Sequence, residues 1–502
     1  MDGVLWGRRA FAWLALAVVL IRAPSAFVRM VNLDECDFWL FGRMMREHAV
    51  PYLGVADIKP PLTYVAFFLA DLTGLPRTWS VPLLGAGAVI ATALLLRATA
   101  RRWSGDERVG WAAAWLALAA GLCESPSTNA EILMNVPAAG ALYLFLRAEQ
   151  SRDLRWDALA GVAAGTAALF KCQGGILLIA LGLATVAPAL RAAPASRLRP
   201  LARAACMALG FAAPWAATVG LFAGAGHLDG FLDWVVRRNL FQISTARVFS
   251  LANVLPSIAA ALGAAAFAWW MALGQVRRTG DGFGRALTCL LALTWVPVAI
   301  GGRFYEHYFL QFVPPLSLLG AGGLVRLVEG WAALGRIRRS AALALALLPP
   351  VGYLAFVAVR GVVGGYPGQD AKASAVAAWL QANTSPADRI FMWGDYSAIY
   401  CLADRLPGTR YMRTAPHVGD FDPLHLPRGF DFTPYRSARD IAFTLQDLDA
   451  NRPAVVLDTS PADIHGWSLF PLDRVAEIRR YVDEHYQPVA SPAGAVVYRL
   501  RR

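Results

Sequence analysis

Apolar runs alternate with short arginine-rich segments from residue 10 to residue 360. A helix needs roughly 20 apolar residues to cross the hydrocarbon core of a bilayer. The runs fall at 10–28, 78–97, 109–123, 132–147, 156–170, 173–190, 204–224, 250–273, 285–301, 309–328 and 340–360. They predict a polytopic α-helical membrane protein with about eleven transmembrane helices, since a barrel would show short alternating strands. The first run follows Arg8 and Arg9 and ends in Ala23-Pro24-Ser25-Ala26. That reads as a signal peptide with a small-residue cleavage site or as an uncleaved first helix. Arg22 interrupts a signal-like core, which favours the helix.

The charges between the runs set the orientation. Arg8 and Arg9 come first, then Arg97, Arg101, Arg102 and Arg108, then Arg147, Arg152 and Arg155. Arg191, Arg197, Arg199 and Arg203 follow, then Arg277, Arg278 and Arg285, and finally Arg326, Arg336, Arg338 and Arg339. Every second loop is basic, so these loops are expected to be cytoplasmic. Segments 29–77 and 123–131, the turn at Lys171, 225–249, 301–308 and everything beyond 365 are then outside. Residues 61–73 are too short to cross, and counting them would move the Arg97–Arg108 cluster outside. They are expected to lie half-buried at the outer interface, as is Phe38–His48.

The pattern changes near Gly364-Gly365-Tyr366-Pro367-Gly368, which reads as a linker. Residues 1–364 are expected to form the membrane domain and 365–502 a soluble α/β domain. In the latter, helices are expected at Ala373–Asn383, Ala398–Asp404, Ala438–Ala450 and Arg474–His485. Strands are expected at Arg389–Trp393, Ala454–Asp458 and Ala495–Arg499. The alternation favours a small Rossmann-like layered domain, without a Gly-rich nucleotide fingerprint.

Composition supports the membrane reading. Of 502 residues, 57% are apolar and only 16% charged, against about 25% charged in soluble proteins. The net charge of +12 is spread over loops, which fits topology and argues against nucleic acid as a partner. The only lysines are Lys59, Lys171 and Lys372. The six cysteines show no metal spacing. Cys36, Cys123 and Cys172 share the expected outer face, where one disulfide among them is possible.

Candidate chemistry gathers on that face. Asp34-Glu35 reads as a solvated pair or a helix cap, or as a general base with its support. Lys59-Pro60-Pro61 places an ammonium at the interface, suited to a lipid phosphate. Asp57 stands two residues before that lysine. Arg303, Tyr305 and His307 fall in GGRFYEHYF, where the arginine suits a phosphate and the rings suit a membrane belt or a sugar. Glu131, with Asn129 and Asn135, reads as capping, as a sugar ligand, or as a partner that fixes Lys59. Lys171 is one more cation on this side.

LDEC…KPPLTYV resembles the D-E…K-P-P-L pattern of the C-fold glycosyltransferases that use polyprenyl-phosphate sugars. These include the protein O-mannosyltransferases and the lipid A aminoarabinose transferases. GGRFYEHYFLQFVPPL and WGDYSAIYCLADRLPGTRYM are similar to segments of bacterial members. The resemblance implies Asp34 as the catalytic carboxylate and Lys59 beside the donor phosphate. Some members carry a metal-linked glutamate just before that lysine, where this chain has Ile58.

The expected protein is an inverting glycosyltransferase of the bacterial inner membrane, with its active site and C-terminal domain on the periplasmic side. It takes a sugar from a polyprenyl-monophosphate donor to a lipid, glycan or protein acceptor. Asp34 and Glu35 are expected to be catalytic, and Lys59, Arg303 and Lys171 to bind phosphate. Glu131, His307, Tyr305 and Asp57 take second rank. No obligatory cofactor is expected, and a divalent metal stays open. The alternatives are a lipid-linked sugar flippase, which would show internal repeats and intramembrane charge, and an oligosaccharide ligase with a pyrophosphate-linked donor.

Overall fold

The computed structural model describes residues 6–7, 9–124, 126–151, 153–190, 193, 197–246, 251–427 and 429–501. Arg8, Arg152 and Arg191, used in the charge count, lie outside the described residues, as does the side chain of Cys123.

The chain is a multi-pass helical membrane protein. Helices occupy all eleven expected places. Among the described residues, six are long and apolar enough to cross on their own: Arg77–Ser104, Cys172–Leu190, Leu198–Gly224, Gly282–Ala299, Glu306–Glu329 and Arg336–Gln369. A seventh crossing results if Val254–Ala264 and Ala266–Val276, bent by 71°, form one span. The remaining places hold helices that are shorter or more polar, such as Glu107–Ala120 and Ala130–Ser151. The first run is also shorter than expected. Its helix ends at Arg22 and resumes as Pro24–Phe27. Arg22 is buried, and donates to the Ser127 carbonyl at 2.9 Å and the Thr128 hydroxyl at 2.7 Å. The charge that breaks the apolar run therefore ties the first helix to the segment after residue 124.

Two short helices, Leu33–Arg46 and Pro61–Leu72, stand between the first and second long runs. Asn32 caps the first by accepting from the Asp34 N–H at 2.9 Å, so capping does not fall to Asp34. Pro61 opens the second, with Pro60 extended before it; a proline there loses no helical hydrogen bond. The two pack through a buried aromatic cluster of Phe38, Phe41, Tyr52, Tyr64 and Phe67, with Phe41 stacked on Tyr64.

Beyond Gly364, whose left-handed φ of 72° ends the Arg336–Val363 helix, the chain builds a five-stranded sheet. The strands are β1 (Arg389–Trp393), β2 (Leu406–Pro407), β3 (Val455–Asp458), β4 (Tyr486–Ala490) and β5 (Val496–Leu500), in the order β2-β1-β3-β5-β4. The first three run parallel, but β5 and β4 pair antiparallel. The sheet is thus mixed, rather than the layered parallel one expected. The sequence reading misses both edge strands, β2 and β4. Each contains a proline, and β4 is largely exposed, so neither carries a buried apolar run.

This sheet region does not hang from a linker. Cys36 is bonded to Cys401, which corrects the pairing sought among Cys36, Cys123 and Cys172. Around that bond, Arg43 pairs with Asp404 at 2.5 Å and Arg389 with Glu47 at 2.9 Å. The Ala56 N–H donates to the Arg410 carbonyl at 3.0 Å. One continuous hydrophobic core includes Phe38 and Phe41 as well as Ile399 and Tyr400.

Candidate active site

The first turn of Leu33–Arg46 carries Asp34 and Glu35, where the helix N-terminus favours negative charge. Their side chains part company. Glu35 is buried and accepts from the Thr128 N–H at 2.7 Å and the Val31 N–H at 3.3 Å. Burial raises its pKa, opposed by the Thr128 bond and by Arg22. It holds the loop together and does not line the cavity into which Asp34 opens.

That cavity, open to solvent, spans about 1180 Å3 and is lined by the start of the Leu33–Arg46 helix, by Ile58 and Lys59 just before Pro61–Leu72, by the 303–308 segment and by the sheet region. Of the expected site residues it gathers Asp34, Lys59, Arg303, Tyr305 and His307. Among the described residues, no hydrogen bond ends on the Asp34 carboxylate, and His307 Nε2 stands 4.0 Å from it. Burial works against the charge of Asp34. Lys59, helped by His307, Arg413 and Lys171, outweighs burial and holds the carboxyl down at about 2.

Lys59 is fixed through its backbone. Its N–H donates to the Tyr64 hydroxyl at 3.0 Å, and its carbonyl accepts from Tyr52 at 2.8 Å. The Nζ lies over the Phe38 ring at 5.6 Å. Burial disfavours its charge, but Asp34 and Asp57 win and raise its pKa, so it stays an ammonium. Among the described residues no carboxylate comes within ion-pair distance of that Nζ.

Arg303 follows a turn at Gly302, whose φ is 66° and where a Cβ would meet the Ala246 carbonyl at 2.8 Å. Its guanidinium donates to the Asp420 carbonyl at 2.6 Å. Tyr305 donates to Asp422 at 2.8 Å and stacks on His307.

Three expected residues stand behind the cavity wall. Lys171 pairs with Glu131 and lies 4.1 Å from the Tyr308 ring. Glu131 therefore pairs with Lys171 rather than with Lys59. Asn135 turns instead to the Leu310 carbonyl at 2.9 Å. Asp57 is buried beside Arg413, 3.8 Å away. Ile58 supplies no metal ligand, and among the described residues no three His, Cys, Asp or Glu side chains are grouped to hold an ion.

The sequence reading passes over the opposite wall. Arg413 spans three carboxylates: Asp37 at 3.0 Å, Asp395 at 3.3 Å and Asp57. Burial raises the pKa of Asp37 and Asp395, with Arg413 opposing, while Arg413 itself is raised by its three partners against burial. Asp420, Asp422 and His465 line the same cavity, the first two bonded to Arg303 and Tyr305. Asp37 was within reach of pattern, being three residues after Asp34 on one helix face. The others come from the sheet region; Asp395 lies in the WGDYSAIYCLADRLPGTRYM segment whose resemblance was noted, with no role attached to it, and Arg413 follows directly after that segment.

The sequence pattern of the dolichyl-phosphate-mannose-protein mannosyltransferase family matches residues 58–217. No curated protein matches the chain in sequence. Among solved structures, ArnT from Cupriavidus metallidurans bound to undecaprenyl phosphate superposes with a TM-score of 0.62 at 16% identity, covering 97% of each chain. Its apo state gives 0.59 at 17% identity over 97% of this chain and 98% of that one. The archaeal oligosaccharyltransferase AglB from Archaeoglobus fulgidus, in complex with an inhibitory peptide and a dolichol-phosphate, gives 0.52 at 13% identity, covering 99% of this chain and 75% of that one. Over residues 58–217 the chain is thus similar to the dolichyl-phosphate-mannose-protein mannosyltransferases, and over nearly its whole length it has the fold of the C-fold glycosyltransferases that its sequence resembles.

Proposed function

We propose that the protein is an inverting glycosyltransferase that moves a sugar from a polyprenyl-monophosphate donor to a lipid, glycan or protein acceptor on the outer face of a bacterial plasma membrane. The observation that carries this reading is the meeting in one cavity of the Asp34 carboxylate, on which no hydrogen bond ends among the described residues, and the Lys59 ammonium, which among them has no carboxylate at ion-pair distance. In a single displacement the acceptor oxygen or nitrogen attacks the anomeric carbon. The carbon–oxygen bond to phosphate breaks on the opposite face, and polyprenyl phosphate leaves with the bonding pair. Asp34 takes the acceptor proton. Lys59 and Arg303 stabilise the charge gathering on the phosphate.

Two apolar pockets support a lipid-linked donor. One of about 500 Å3 and one of about 760 Å3 share Ile21 and Leu118 among their linings. The larger reaches Leu122, two residues before Glu124 on the polar cavity. ArnT and AglB were solved with polyprenyl phosphates bound, which fits such a groove. The Cys36–Cys401 bond supports the outer face, because disulfides persist in oxidising compartments.

The test uses protein purified in lipid, given radiolabelled polyprenyl-phosphate sugars, pyrophosphate-linked sugars and candidate acceptors. Transfer from a monophosphate donor is expected, falling by roughly 10²–10⁴ in Asp34→Asn while donor binding persists. Absence of transfer and of donor hydrolysis with every monophosphate donor would sink the proposal.

A further inference from the structure

A second polar pocket, of about 970 Å3, lies against the other face of the Leu33–Arg46 helix. Arg43, which lines it, points away from Asp34 by helical spacing. The pocket collects Arg29, Arg43, Arg77 and Arg405, with Asp404 as its only carboxylate. Two of these cations are already engaged. Arg43 pairs with Asp404, and Arg405 donates to the carbonyls of Ala403, Asp404 and Thr384. Arg29 and Arg77 are different. Among the described residues neither has a carboxylate within ion-pair distance. The Arg77 Nη1 donates to the Arg29 carbonyl at 2.8 Å, so the chain itself holds the two residues together. Glu35 and Asp404 reach Arg77 only through the longer-range field, so two neighbouring cations without a contact counter-ion among the described residues form a site that an anion relieves.

The level of this pocket identifies the anion's source. Arg77 is the first residue of the Arg77–Ser104 helix, one of the six long enough to cross. The pocket therefore opens where that helix leaves the hydrocarbon. Around it Phe27 is 84% exposed, Trp79 57%, Leu72 54% and Leu75 46%. Apolar side chains this open belong against acyl chains, and Trp79 suits the headgroup level. A free anion would use the guanidiniums and leave those side chains unexplained. A phospholipid uses both.

We infer that Arg29 and Arg77 hold the phosphate of an anionic membrane lipid, at a site separate from the cavity of Asp34 and Lys59. The site does not depend on the transfer reaction, and its test does not read transfer.

Full-length protein in mild detergent, examined by native mass spectrometry, should retain phosphatidylglycerol in preference to phosphatidylcholine. The Arg29→Gln/Arg77→Gln double variant should lose about tenfold or more of that retention. Arg29→Gln alone, at an exposed position outside any helix, should keep the wild-type melting temperature and still lose several-fold. Retention should weaken with added salt, and millimolar inorganic phosphate should not displace the lipid. Equal retention of the two lipids overturns the inference. So does wild-type retention by Arg29→Gln, or release of the lipid by inorganic phosphate.

Discussion

At the residue scale, Asp34 poses a chemical problem. A carboxyl held at about 2 is a feeble base, and the cause is Lys59 beside it. Under the proposed function, donor binding resolves this. A phosphate seated on Lys59 cancels the ammonium's pull, and burial, which already opposes the carboxylate charge, then drives the Asp34 pKa up. The base must be ionised, so activity falls as pH drops through its pKa. The acid limb of kcat, which reports the donor complex, should then lie at higher pH than that of kcat/KM, which reports the free enzyme. Identical acid limbs in the two profiles would refute the coupling. Pattern alone could not have separated Asp34 from Glu35. They are adjacent, equally acidic and in the same helical turn. What divides them is the Thr128 N–H, supplied by a distant loop, which claims Glu35.

At the scale of elements, the Leu33–Arg46 helix is held from both sides. The aromatic cluster fixes it to Pro61–Leu72, and Cys36–Cys401 fixes it to the Ala398–Ala403 helix next to Asp395. Cutting the disulfide should therefore act on both stability and the site. Cys36→Ser/Cys401→Ser, or treatment with reductant, should lower stability by roughly 2–4 kcal/mol, read as a lower melting temperature. Transfer should fall with it, because Asp395 and Arg413 face Asp37 across that junction. An unchanged melting temperature would show that packing alone holds the helix. The helices and central strands were legible because each carries its own apolar run. The edge strands and the disulfide were not, since the first lack such a run and the second joins residues 365 apart.

At the scale of the whole molecule, the arginine alternation and the disulfide point the same way across the membrane. Under the proposed orientation a phosphatase reporter fused after residue 502, one that folds only in an oxidising compartment, should be active, and a green fluorescent protein fused there should stay dark. The reverse result would place the sheet region and the cavity in the cytoplasm.

The sequence by itself determined the membrane class, the helical places, the two short helices before the second run and the grouping of Asp34 with Lys59. These rest on hydropathy, charge and proline geometry, which act within a turn or two of the chain. Only the tertiary structure decided which carboxylate faces the cavity, which lysine Glu131 engages, and which cysteine Cys36 joins. It alone brought Arg413 and Asp395 to the cavity that Lys59 lines. Those outcomes depend on partners 40 to 365 residues away, chosen by burial and close contact, and one-dimensional pattern carries no record of them.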